Sequence, residues 1–160
     1  INTAVLNNIN FLNEAAKEFG SQSIVISMDV KKIKNKYKVM KSFGSEETIY
    51  EAHKWSKIVS ENGAGEILLN SIDRDGTKKG YDIKLINNVY DSSTVPLIPI
   101  GGAGKLNHFS NLLSKTKVDT VSAANYFHHK DQSDYLLKKY LFDKDFNVRK
   151  PEFKLWKPNK

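Results

Sequence analysis

The sequence predicts an α/β protein with a parallel sheet, and among such folds a (β/α) barrel rather than a doubly wound sheet. Three observations carry this. Strand and helix patterns alternate along the whole chain, which favours parallel pairing. The strand segments are short continuous apolar runs such as Ile67-Leu68-Leu69, a pattern suited to strands buried on both faces. Polar residues fall at the ends of several strands: Asn2-Thr3, Asp29, Asn70 to Asp75, Gly101-Gly102 and Ala124-Asn125. A doubly wound sheet gathers its ligands at one switch point, whereas a barrel uses several positions on one rim.

In order, Ile1 to Val5 reads as the end of a strand, and the chain starts without an initiator Met. Asn10 to Phe19 has Leu12, Ala15, Ala16 and Phe19 at helical spacing, with Gly20 as the stop. Ser23 to Met28 is the next strand, ending on Asp29, and a lysine-rich hairpin follows over Val30 to Phe43, turning near Lys34-Asn35-Lys36. A helix is expected over Thr48 to Asn62, with Ile49, Ala52, Trp55 and Val59 on its inner face and Gly63 ending it. Trp55 is most simply a core or interface aromatic.

The strand Ile67 to Leu69 leads into Asp73, Arg74, Asp75, Gly76 and Thr77, then Gly80 and a helix from Asp82 with Ile83, Ile86 and Val89 inward. A polar surface turn would explain one Asp-Gly pair; two Asp, one Arg and several Gly at one strand exit favour a site. Pro96 to Ile100 is a strand that runs into Gly101-Gly102-Ala103-Gly104, and Lys105 to Ser114 is helical. Val118 to Ala123 is the last strand expected, and a helix over Asp131 to Phe142 closes the regular structure. The tail from Lys144 has no period.

At 160 residues the chain can bury one real core. It has no apolar stretch near the roughly 20 residues that span a membrane and no signal-peptide pattern, so a cytoplasmic location is expected. Without cysteine there is no disulfide or thiolate metal site, and four scattered His make no ligand cluster, so no metal or cofactor is expected. The net charge of +7 is spread along the chain without a nucleic-acid-binding motif, which argues for a solvated surface or an anionic small substrate.

Two features carry chemistry. Glycines 101, 102 and 104 lack Cβ atoms, so backbone N–H groups can approach an anion at the start of a helix, and Asn125 ends the neighbouring strand. Loops after the last two strands of such barrels commonly cradle phosphate. Asp29 is a single carboxylate at a strand end. It can transfer a proton, or it can cap a loop by accepting backbone N–H bonds, and chemistry alone leaves both open. The run Lys31, Lys32, Lys34, Lys36, Lys38 and Lys41 beside it either attracts an anionic substrate or is a solvated hairpin.

The segments "FGSQSIVISMDVKK", "GAGEILLNSIDRDGTKKGYD", "PIGGAGKLNHF" and "AANYFHH" resemble the HisF family, the cyclase subunits of imidazole glycerol phosphate synthase. The resemblance covers residues 1 to about 150 and implies the C-terminal half of a (β/α)₈ barrel, with 151–160 as a tail. It implies a lyase/cyclase that uses ammonia from a glutaminase partner on a bis-phosphorylated ribulosyl-formimino-carboxamide ribotide, giving imidazole glycerol phosphate. Under it Asp29 is one of two acid–base aspartates, and Asn70, Asp75, Gly76 and Thr77 serve substrate binding. Gly101, Gly102, Ala124 and Asn125 form one phosphate site, Asn2 and Thr3 part of another, and Glu66 guards the ammonia entrance. The other strands would come from a preceding half-barrel or a second copy, so dimerisation or aggregation is expected of the chain by itself.

Phe43-Gly44-Ser45 stands where the family commonly has Ser-Gly-Lys, Ile49 where it has Gly, Ile100 where it has Ser, and Asn125 where histidine-pathway members have Ser. "AAN-aromatic-FH" and Asn147 to Pro151 are similar to HisF paralogues of surface-polysaccharide clusters, which supply ammonia to a sugar amidotransferase. An inactive phosphate-binding half-barrel is a third reading, from a different class.

Overall fold

In the computed structural model, residues 1–128 and 131–152 are described; His129 and residues 153–160 of the expected tail lie outside them. Five strands form one sheet: β1 (Val25–Ile33), β2 (Lys36–Lys41), β3 (Glu46–Glu51), β4 (Glu66–Ser71) and β5 (Leu97–Ile100). Their order is β3-β2-β1-β4-β5. β1, β4 and β5 run parallel, and β2 and β3 are antiparallel additions. Seven helices accompany them: α1 (Thr3–Asn7), α2 (Asn10–Phe19), α3 (Ala52–Glu61), α4 (Ile83–Tyr90), α5 (Leu106–Lys115), α6 (Asn125–His128) and α7 (Ser133–Phe142). The alternation of parallel strands with helices is as expected and suits part of a barrel; the sheet itself is open, with β3 and β5 at its edges.

The burial pattern explains which face matters. Ile26, Met28 and Val30 of β1, Ile67 and Leu69 of β4, and Leu97 of β5 are buried in one core with Leu12, Trp55, Val59, Leu85, Ile86, Val89, Phe109 and Leu112 from the helices. The alternate positions, Ser27 and Asp29, Glu66, Leu68 and Asn70, and Ile98 and Ile100, are only half buried. The strands are therefore covered on one face, not on both as their apolar runs suggest. A strand puts successive side chains on opposite faces, and here helices pack against only one of them.

Local chemistry accounts for the element boundaries. Gly20 ends α2 at φ 79°, a conformation that suits glycine. The Asp82 carboxylate caps α4 by accepting the Leu85 N–H at 3.1 Å. Lys34 and Asn35, at φ 46° and 65°, make the two-residue turn of the expected hairpin.

Five expectations are corrected. Ile1 alone behaves as strand, exchanging bonds with Val25 and Ser27 of 2.7 and 2.8 Å. From Thr3 the chain is helical because the Asn2 carbonyl accepts from Val5 and Leu6. The strand expected to stop at Met28 continues through Asp29 to Ile33, because β2 pairs with this extension. The helix expected from Thr48 starts at Ala52; Thr48, Ile49 and Tyr50 form β3 instead, and Ile49 is 85% exposed. β-branched and aromatic residues favour a strand once a partner edge exists. Residues 118–123 form no regular strand, although Ser122 N–H donates to the Pro99 carbonyl at 2.9 Å, beside β5. Phe19, expected on one face of α2 with the buried Leu12, is 66% exposed. Trp55 is buried as expected, its ring 4.5 Å from that of Tyr50.

Candidate active site

The register of the parallel strands sets Asp29 opposite Asn70, and Asn70 opposite Ile100. These three residues stand at one level on the half-buried face, at the C-terminal ends of β4 and β5 and midway along β1. Asn70 Nδ2 donates to Asp29 Oδ1 at 2.9 Å, and Asn2 Nδ2 donates to Asp29 Oδ2 at 2.9 Å. Both carboxylate oxygens are thus held by side-chain amides. These partners are side-chain amides, not the backbone N–H groups that a loop-capping Asp would accept from. Asn2 Oδ1 is buried and has no hydrogen-bond partner among the described residues.

The loop after β4 continues this rim and is held from both sides. Toward the hairpin, Lys32 N–H donates to Asp73 Oδ2 at 2.7 Å, and Tyr37 O–H donates to Asp82 Oδ1 at 3.1 Å. Burial, then the charge and hydrogen bond of Asp82, push the Tyr37 phenol up to about 12. The Ser42 N–H reaches Thr3 Oγ1 at 3.3 Å, which ties the turn between β2 and β3 to α1. Toward β5, Gly80 N–H donates to the Gly102 carbonyl at 2.8 Å, and Tyr81 O–H donates to the Ser122 carbonyl at 2.8 Å. Burial raises the Tyr81 phenol far above its usual value.

The glycines at β5 have strict steric reasons. Gly101 and Gly102 have φ 101° and 95°. A Cβ at Gly102 would overlap the Gly80 carbonyl, and one at Gly101 would crowd the Ser71 carbonyl at 3.0 Å and Asn70 Oδ1 at 3.2 Å. The result is a narrow cleft lined by Asp75, Gly76, Gly101, Gly102, Ala103, Ala123, Ala124 and Asn125. Six of the residues singled out from sequence thus meet around one cleft. Asn125 opens α6.

The remaining expected residues divide. Thr77 is exposed and uses its hydroxyl within the loop, donating to the Arg74 carbonyl at 2.7 Å. Thr3 holds the Ser42 amide, and Asn2 holds Asp29. Glu66 begins β4 on the same face as Asn70 but at the opposite end, four residues away, or about 13 Å of strand. Among the described residues no group of three or more His, Cys, Asp or Glu could hold a metal ion. Sequence reasoning missed two links: the Asn70–Asp29 bond, whose partners lie 41 residues apart, and His108, which meets the glycine loops. Only the two strand-end positions hinted at the first.

Fold and site together define a parallel α/β protein whose carboxylate and glycine-loop groups gather on one strand-end rim. Residues 1–133 match the histidine biosynthesis protein family, and the chain belongs to that family. It is similar to the imidazole glycerol phosphate synthase subunit HisF of Saccharolobus solfataricus, 45% identical over 149 residues, covering 93% of this chain and 59% of that protein. The same-named subunits of Chlorobium phaeovibrioides and Clostridium botulinum are 42% and 41% identical over 149 and 151 residues, covering 93% of this chain and 59% and 60% of theirs. The chain thus spans about 59% of the length of these relatives. No helix among the described residues is long and apolar enough to cross a membrane.

Proposed function

We propose that this chain carries one half of the active site of a HisF-type cyclase, which uses ammonia to close an imidazole ring on a bis-phosphorylated ribotide. The observation that carries the reading is Asp29, held at both oxygens by Asn2 and Asn70 on the rim beside the glycine cleft. An oriented carboxylate at a strand end can take a proton from attacking ammonia and return it to a departing group. The unpartnered Asn2 Oδ1 beside it is an acceptor suited to an N–H of the incoming nitrogen. Gly101, Gly102, Ala124 and Asn125 would hold one phosphate, with Gly76 and the Asp75 carboxylate at the cleft mouth. Thr3 would contribute to the second phosphate site, Thr77 would shape the loop, and Glu66 at the far end of β4 would face entering ammonia from a glutaminase subunit.

The half-buried face of β1, β4 and β5 supports residues 1–150 as half of a (β/α)₈ barrel, with that face as its interior. Further strands, from a preceding half-barrel or a second copy, would cover it and pair the exposed edge of β5. The similarity to imidazole glycerol phosphate synthase subunits favours the histidine pathway over the polysaccharide paralogues. In the subunit with all strands present, Asp29→Asn should lower ammonia-dependent turnover by about 10² or more and leave phosphate affinity unchanged. Near-normal turnover in that variant would return Asp29 to a structural role.

A further inference from the structure

We propose that His108 is a positioning residue, a neutral imidazole that clamps the two glycine loops of the cleft together. The proposal rests on reading that cleft as an anion cradle and adds the group that sets its shape. His108 lies in the first turn of α5, outside the cleft lining. Its Nδ1 accepts the Gly104 N–H at 3.1 Å, which places the ring proton on Nε2. The ring also lies beside Gly80: a Cβ added there would come within 3.6 Å of its Cγ and Cδ2. Gly80 in turn donates to the Gly102 carbonyl at 2.8 Å. One imidazole therefore holds the turn after β5 through Gly104 and lies beside the loop after β4 at Gly80, which the same turn binds through Gly102.

A backbone N–H can bond Nδ1 only while that nitrogen carries a lone pair. Protonation puts N–H against N–H, so the charged ring must break the Gly104 bond and release the turn that carries Gly101 and Gly102. The surroundings favour the neutral ring: burial first, then Lys105, lower the His108 pKa, while the Gly102 carbonyl works the other way. From the facing loop, Lys78 packs against Gly104 and Arg74 against Gly102. The carboxylate bordering the cleft is Asp75.

Sulfate is the right probe, because it keeps its charge across the pH range where inorganic phosphate titrates. In the full chain, sulfate affinity and the Gly104 amide resonance are followed from pH 8 to pH 4.5 in the native protein, His108→Asn and His108→Leu. Native affinity should fall about fivefold or more on acidification, in step with the Gly104 signal. In His108→Asn an amide oxygen replaces Nδ1 as acceptor, so affinity should stay within about twofold of the native value at pH 8 and lose its step. His108→Leu should be about fivefold weaker at every pH, with far-UV dichroism confirming the fold. A native profile that matches that of His108→Asn, or full affinity in His108→Leu, overturns the clamp. Failure of sulfate to bind, with the Gly104 resonance still tracking His108, overturns the anion reading and leaves the clamp standing.

Discussion

The two ends of the rim are built from different materials. At β1 the proposed working parts are side chains: a carboxylate on β1 and the amide of Asn70 on β4, strands whose backbones are committed to the sheet, with the amide of Asn2 just before α1. At β5 the proposed working part is backbone, left uncovered by side chains at Gly101 and Gly102 and braced by Gly80 and His108. A side-chain device can lose its chemistry while the fold stays intact, because the strand beneath does not depend on it. A backbone device cannot, because the conformation that presents the N–H groups is the local fold. Substitutions should therefore separate function from stability at the first end and couple them at the second.

The largest effect is expected from Gly102→Ala, whose Cβ would overlap the Gly80 carbonyl at a φ of 95°. Strain and overlap together should cost about 2–4 kcal/mol in urea denaturation and weaken sulfate binding by about 10². A stable variant that still binds would erase the contrast. Next comes Asn70→Ala, which removes one charge-assisted bond to Asp29: turnover should drop about tenfold while stability changes by less than about 1 kcal/mol. Equal losses in both would make the β1 end as dependent on its fold as the β5 end.

Gly76→Ala sharpens the steric half of the argument. Gly76 shares the positive φ, at 72°, but a Cβ there meets nothing within 4 Å. Conformational strain alone should cost about 1 kcal/mol, measured against Gly102→Ala under the same conditions. The smallest effect belongs to Tyr37, whose folded phenol is pushed up to about 12 from 10. Its contribution is complete below pH 10 and is lost as pH rises toward 12, because the unfolded chain ionises first. Since Tyr37 is half exposed, the pH 9 to pH 11 loss that disappears in Tyr37→Phe should stay below about 1 kcal/mol.

Much of this molecule is readable along the chain because its signals are local. The helix with Leu12 and its Gly20 stop, the Asp82 cap, the Lys34-Asn35 turn and the apolar runs of β4 and β5 follow from period and backbone preference within a few residues. Placement of Gly101 and Gly102 directly after β5 is local in the same way. Where a partner edge decides, local reading fails: Thr48 to Tyr50 have spacing fit for a helix but become β3 because β2 offers an unpaired edge. Residues 118–123 have strand composition, yet the described residues show only one sheet-like bond for them. The site depends most on tertiary structure. The Asp29–Asn70 pairing, the fit of Gly80 against Gly102 and the reach of His108 to both loops are consequences of strand register and close packing between segments distant in sequence. Register follows from which faces are buried against which helices, and that is decided by the assembled core rather than by any one stretch of the chain.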